Sequence, residues 1–228
     1  MKFIDDAERK KEILKFLKNI GVDTRFVSVM DSYLLINNLR FSKFSKAKET
    51  IFINSFPEFK VIRSKIFQKI CLRSSRVLST ELTPREKILV KNEKTFFNEL
   101  MLIILEPYTR KYGIQILCHD FKLENLNDIK IDYDSIALPL TLDDEVENIL
   151  NCIFTGKKIE LKSSEKYIKK LIYPFINVPL EWIFAYFDNP YCCGLNKKMS
   201  HDFLLYIEKI VPQVRENILK SSHYLYEN

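Results

Sequence analysis

Along residues 3–19, Phe3, Ile4, Ala7, Ile13, Leu14 and Phe16 recur among charges at roughly helical spacing, and Gly21 stands where such a helix would stop. Residues 25–29 form a short apolar-rich stretch that predicts a strand, and SYLLINNL at 32–39 fits a buried helix. TIFINSF at 50–56 is rich in β-branched and aromatic residues and closed by Pro57, so it predicts the next strand. Residues 61–78 are helical in pattern and carry Arg63, Lys65, Lys69, Arg73 and Arg76 at spacings that fit one basic face, or simply a solvated one. Thr83-Pro84-Arg85-Glu86 resembles a helix start, with a long helix expected to follow through Phe96, Phe97, Leu100, Met101, Ile104 and Leu105, kinked near Pro107 and ended by Gly113.

The second half gives clearer signals. IQILC at 114–118 and SIAL at 135–138 predict strands. DDEVENILNCIF at 143–154 predicts a helix, with carboxylates in its first turn and Gly156 at its end. A charged connection (157–170), a short apolar helix (179–187) and a helical tail (202–225) interrupted at Pro212 complete the chain. Strands alternating with helices argue for an α/β fold, a parallel sheet with helices on both faces.

Composition narrows the class. The chain has 228 residues, 46% of them hydrophobic, enough for one sizeable core. No run of about 18 apolar residues is present, and the charged amphipathic start lacks the apolar centre of a signal peptide, so no membrane contact and a cytoplasmic location are expected. Five cysteines without a CxxC pair predict reduced thiols. Three scattered histidines give no zinc-site spacing, and no metal site is expected. The net charge of +6 suits the approach of a polyanion such as RNA, although compositional bias explains it as well.

The segment DSIALPLTLDDEVENILNCIFTGKKIEL resembles the end of the nucleotide-binding domain of PP-loop ATP pyrophosphatases that modify tRNA. There a strand leads through Gly-His-x-x-Asp-Asp into a helix ending in glycine. Leu138 and Pro139 stand near the glycine and histidine positions, while Asp143, Asp144, Glu147, Ile149, Leu150 and Gly156 keep the rest. KLIYPFINVPLEWIFAYF is similar to the family's Arg-Pro-Leu and the short helix after it, with Lys170 or Tyr173 in the arginine's place. FLLYIEKIVPQVRENILKSSHYL is similar to the last helices. The match covers about residues 131–225. It implies an adenine nucleotide alpha hydrolase-like fold, a single domain over 1–228 with 171–228 as a helical C-terminal extension.

Active members of that family deliver Ser-Gly-Gly-x-Asp-Ser from a strand, because glycines let backbone amides wrap a phosphate. FVSVMDSYLLINNL is the corresponding segment here, with Asp31 and Ser32 imitating the motif's end and both glycines missing. The chain has four glycines, none between Gly21 and Gly113. A scaffold without its phosphate loop resembles the second subunit of the cytosolic tRNA 2-thiolation complex, and SSRVLSTELTPREKILV is similar to that subunit's insertion. Its N-terminal zinc-binding cysteines are absent.

The resemblance implies tRNA and a catalytic PP-loop sister subunit as partners, in a heterodimer that thiolates the wobble uridine, with no catalysis by this chain alone. ATP and magnesium remain open as cofactors, as do two alternatives: an active ATP-dependent tRNA-modifying enzyme, and an interaction module without nucleotide or RNA. Asp143 and Asp144 suit a magnesium ion or nucleotide, or simple helix capping; Asp31 and Ser32 suit a nucleotide remnant or a helix start. Cys192 and Cys193 stand where thiolating relatives place a late cysteine for sulfur transfer or a cluster, or they are structural thiols. Lys157, Lys158, Lys162, Lys166, Lys169 and Lys170 form the densest positive stretch, suited to gripping RNA phosphates or to a solvated loop.

Overall fold

A computed structural model describes residues 4, 6–123, 126, 129–164, 167, 169–188 and 199–227. Two sheets share the molecule. The smaller has the order β1 (Val27–Val29), β2 (Tyr33–Ile36), β3 (Lys60–Ile62), with β1 and β2 antiparallel and β2 and β3 parallel. The larger is wholly parallel, in the order β5 (Gln115–His119), β4 (Lys87–Lys91), β6 (Ser135–Ala137), β7 (Lys170–Ile172).

Strand pleat sorts the faces. Val27, Val29, Leu34 and Ile36 point from the small sheet into an aromatic-rich cluster with α1 (Ala7–Asn19), α3 (Lys46–Ser55), Phe44 and Phe59. Leu35 and Met30 point the other way, into the main core with α4 (Lys65–Glu81) and α5 (Phe96–Leu105). That core also takes Ile88, Val90, Ala137 and Ile172 from the large sheet, so α4 and α5 lie between the two sheets. This placement explains why α5 buries Leu100, Met101, Ile103, Ile104 and Leu105 all round its surface. The opposite face of the large sheet, Leu89 and Ile136, packs under Phe121 and Tyr133. The parallel sheet flanked by helices is therefore as the pattern predicts. No helix among the described residues is long and apolar enough to cross a membrane.

Several elements differ from expectation. TIFINSF belongs to α3, which Ser45 caps through the Lys48 N–H and which inserts Phe52 among Phe16, Phe44, Phe56 and Phe59. Burial of one aromatic residue outweighs the β-branched composition. SYLLINNL is strand β2 followed by the single turn α2 (Leu39–Ser42). The Thr83–Glu86 cap forms without a helix: the Thr83 N–H and Oγ1 donate to Glu86 Oε2 at 2.7 and 3.1 Å, and Arg85 turns to φ 64°. The chain then leaves as β4, an inner strand of the sheet whose Ile88, Leu89 and Val90 are buried. The helices at 7–19, 142–154, 180–186 and 199–227 fall where the periodicity predicts them.

Candidate functional site

In an open parallel sheet, ligands bind beyond the carboxyl ends of the strands, where the strand order reverses. The chain passes from β4 outward to β5, then returns across β4 to β6 and β7. The reversal therefore lies at the carboxyl ends of β4 and β6. Two junctions meet there: residues 92–95, leading from β4 into α5, and residues 138–141, leading from β6 into α7 (Leu142–Phe154).

The first junction reads Asn-Glu-Lys-Thr. Asn92 N–H donates to the His119 carbonyl at 3.0 Å, tying the turn to the end of β5. Thr95 N–H donates to the Glu93 carbonyl at 2.8 Å, and the Thr95 hydroxyl caps α5 by accepting from Asn98 N–H at 3.2 Å. Glu93 pairs with Lys91 at 2.8 Å, which sets a carboxylate at the turn. Residues 92–95 contain no glycine and none has a positive φ. A phosphate nest needs successive amides converging through alternating hands of backbone, and this turn has neither that geometry nor free amides at Asn92, Thr95 and Asn98. Asn98 Nδ2 donates to the Glu93 carbonyl at 3.3 Å, while its buried Oδ1 has no partner among the described residues.

At the second junction Thr141 and Asp144 form a reciprocal cap: Asp144 Oδ2 accepts from the Thr141 N–H at 3.0 Å and hydroxyl at 2.6 Å, and Asp144 N–H returns to Thr141 Oγ1. Asp143 is buried, accepts from Leu180 N–H at 2.6 Å and lies 3.2 Å from Arg215 Nε. It thus joins α7 to the start of α8 (Leu180–Tyr186) and to α10 (Val214–Glu227). Burial pushes its carboxyl above the ordinary range, against the pull of Arg215 and the Leu180 amide. Both carboxylates are engaged within the protein.

Asp31 and Ser32 do not sit at a strand-to-helix junction. They form the two-residue turn of the β1–β2 hairpin, closed by Met30 N–H to the Tyr33 carbonyl at 2.9 Å, in the smaller sheet. Sequence reading missed 92–95 because the strand before it was hidden behind the false helix start at Thr83.

Lys157, Lys158 and Lys162 are exposed in the connection after α7. Lys169 donates to the Tyr133 carbonyl at 2.9 Å and lies over the Tyr133 ring. Lys170 binds Glu81 through its carbonyl and carboxylate. Lys170 is in register with Ser135, the first residue of β6, so it marks the amino end of the sheet, opposite the junctions at 92–95 and 138–141. On α4, Arg73 pairs with Glu216 at 2.8 Å, and Lys69 and Arg73 cover Trp182, so part of the predicted basic face packs against α8 and α10. Lys166, Cys192 and Cys193 lie outside the described residues. Cys71 is buried on α4, where burial pushes its thiol up; Cys118 is exposed on β5 and Cys152 lies on α7. Among the described residues no three His, Cys, Asp or Glu side chains converge as metal ligands.

Neither a family model nor a curated protein matches the sequence. Among solved structures, the U34-tRNA thiolase NcsA from Methanococcus maripaludis, with its 4Fe-4S cluster, is similar. The TM-score is 0.54 over 76% of this chain and 84% of that one, at 14% sequence identity. The described thiols, on separate elements, form no cradle for a cluster of that kind. What the two molecules share is the fold, in this chain a parallel sheet flanked by helices.

Proposed function

We propose that this chain is a non-catalytic PP-loop subunit that supports 2-thiolation of the tRNA wobble uridine, binding tRNA and a catalytic sister subunit. The observation that carries the reading is the turn at 92–95: a thiolase-like sheet ends its central strand in Asn-Glu-Lys-Thr, with a carboxylate and without glycine, where a phosphate would have to be wrapped. Asp143 and Asp144 are held by Arg215, Leu180 and Thr141, which favours capping over metal binding. Exposed Lys157, Lys158 and Lys162 suit RNA phosphates. For a protein partner, α9 (Met199–Glu208) and the turn after it leave Met199, Tyr206 and Ile210 more than 60% exposed, an apolar surface that suits the sister subunit.

Calorimetry with ATP and magnesium, before and after adding total tRNA, tests the reading. No ATP binding together with salt-sensitive tRNA binding is expected. Tight ATP binding would move the active-enzyme reading to the front, and copurification recovering neither tRNA nor a PP-loop partner would remove the proposal.

A further inference from the structure

A second site stands apart from the carboxyl edge of the large sheet. Between the 3₁₀ turn Thr24–Phe26, α2, α4 and α6 (Tyr108–Lys111) lies a cleft of about 120 Å³, floored by Cys71 and Ile104. Phe26 and Phe41 form its wall, their rings 5.3 Å apart and tilted by 33°. Phe41 is 52% exposed, so one ring of the pair stands open to solvent. Three cations surround these rings: Arg25 at 6.0 Å from Phe26, Arg40 at 5.9 Å from Phe41, and Lys111 at 4.6 Å from both Phe26 and Tyr108. Arg25 is held by Asp23 at 2.8 and 3.0 Å. Neither Arg40 nor Lys111 makes an ion pair or side-chain hydrogen bond among the described residues. Lys111 is half-buried, and desolvation lowers its pKa against the pull of Cys71 and Asp23.

The walls are fixed from behind. Buried Glu106 binds Arg110, and Arg110 donates to the Thr24 carbonyl at 2.9 Å and the Val27 carbonyl at 2.7 Å. This clamp locks the turn bearing Arg25 and Phe26 to the helix bearing Tyr108 and Lys111, so the rings and cations are arranged before any ligand arrives. The volume is well below the roughly 300–1,000 Å³ of pockets that enclose a whole small ligand. It admits one planar ring and leaves the rest of the ligand outside, along the cations.

We infer that this cleft binds an unstacked base of single-stranded RNA, stacked on Phe41, with the adjoining phosphates on Arg40 and Lys111. Aromatic rings beside unpaired cations are the chemistry that holds single strands without reading their sequence. The inference shares with the functional proposal only the expectation that RNA is a ligand.

The test is fluorescence anisotropy with a labelled oligouridylate hexamer, intact tRNA, UMP and an acidic peptide, on the full chain. Phe41→Ala is expected to weaken the hexamer by roughly tenfold or more, the effect of one base–aromatic stack, and Lys111→Met to weaken it and lower its salt slope by about 0.7, the effect of one phosphate contact on a single strand. Lys220→Glu, at an exposed position on α10, should leave hexamer binding unchanged. Arg40→Glu, at an exposed position, gives the same loss without touching the core. A hexamer that binds Phe41→Ala as tightly as the parent overturns the assignment. So does UMP binding as tightly as the hexamer, or a preference for the acidic peptide. Intact tRNA binding without hexamer binding defeats this site and leaves the functional proposal standing; loss of both defeats both.

Discussion

Glu106 is the residue on which the amino-terminal half depends. Its carboxylate is fully buried, binds Arg110 and Lys10, and accepts from the Val29 N–H at 3.1 Å, joining α5, α6, α1 and β1. Burial works to raise its pKa, and Arg110 with Lys10 outweighs burial, so the folded carboxyl ionises below its ordinary 4.5. A depressed folded pKa contributes stability that is complete above the unfolded value and is lost as pH falls through it toward the folded one. Glu106→Gln leaves Arg110 and Lys10 without their carboxylate and is expected to destabilise by about 3–5 kcal/mol in urea denaturation. The variant should also lose less stability than the parent below pH 4.5; parallel acid curves would show that another group carries the effect. Only the Glu106–Arg110 spacing of four is legible in sequence; Lys10 and Val29 reach Glu106 through folding alone.

Among the elements, α7 is the one whose sequence and structure agree most closely, and its caps show why. Thr141 and Asp144 satisfy free amides through local contacts three residues apart, so the signal is complete within the segment. Thr141→Ala is expected to cost about 1 kcal/mol in thermal or urea unfolding. The same helix holds the carboxyl-terminal pair in place through Asp143. Arg215→Met removes the guanidinium from a buried carboxylate and should loosen α9 and α10, read as faster cleavage within 199–227 under limited proteolysis while the large sheet stays protected. Cleavage spread evenly over the chain would mean that Asp143 and Arg215 do not act as a clasp. The elements least legible in sequence are short: β3 and β7, three residues each, lie in charged stretches and exist because a neighbouring strand supplies their hydrogen bonds. β4 was masked by a cap signature that closes on itself at Arg85.

For the whole molecule, the placement of charge decides how the proposed RNA binding should respond to salt. Lys157, Lys158 and Lys162 are open to solvent, while Lys169 and Lys170 are tied to Tyr133 and Glu81. Lys157→Glu/Lys158→Glu should therefore lower the salt slope of tRNA binding by about 2, whereas Lys170→Ala should change it little. Equal effects would put the RNA path elsewhere. The sequence by itself determined the α/β class, the helices at 7–19, 142–154 and 180–186, the parallel strands at 115–119 and 135–137, and the shortage of glycine, because each of these is a local property of spacing or residue type. Only the tertiary structure decided where the sheet reverses, that the turn at 92–95 stands there in place of Asp31 and Ser32, and that Phe26, Phe41 and Lys111 meet in one cleft. Those facts follow from long-range pairing and burial: a strand's neighbours are chosen by the hydrogen bonds and apolar faces that remote segments offer, and nothing within the segment records which ones arrive.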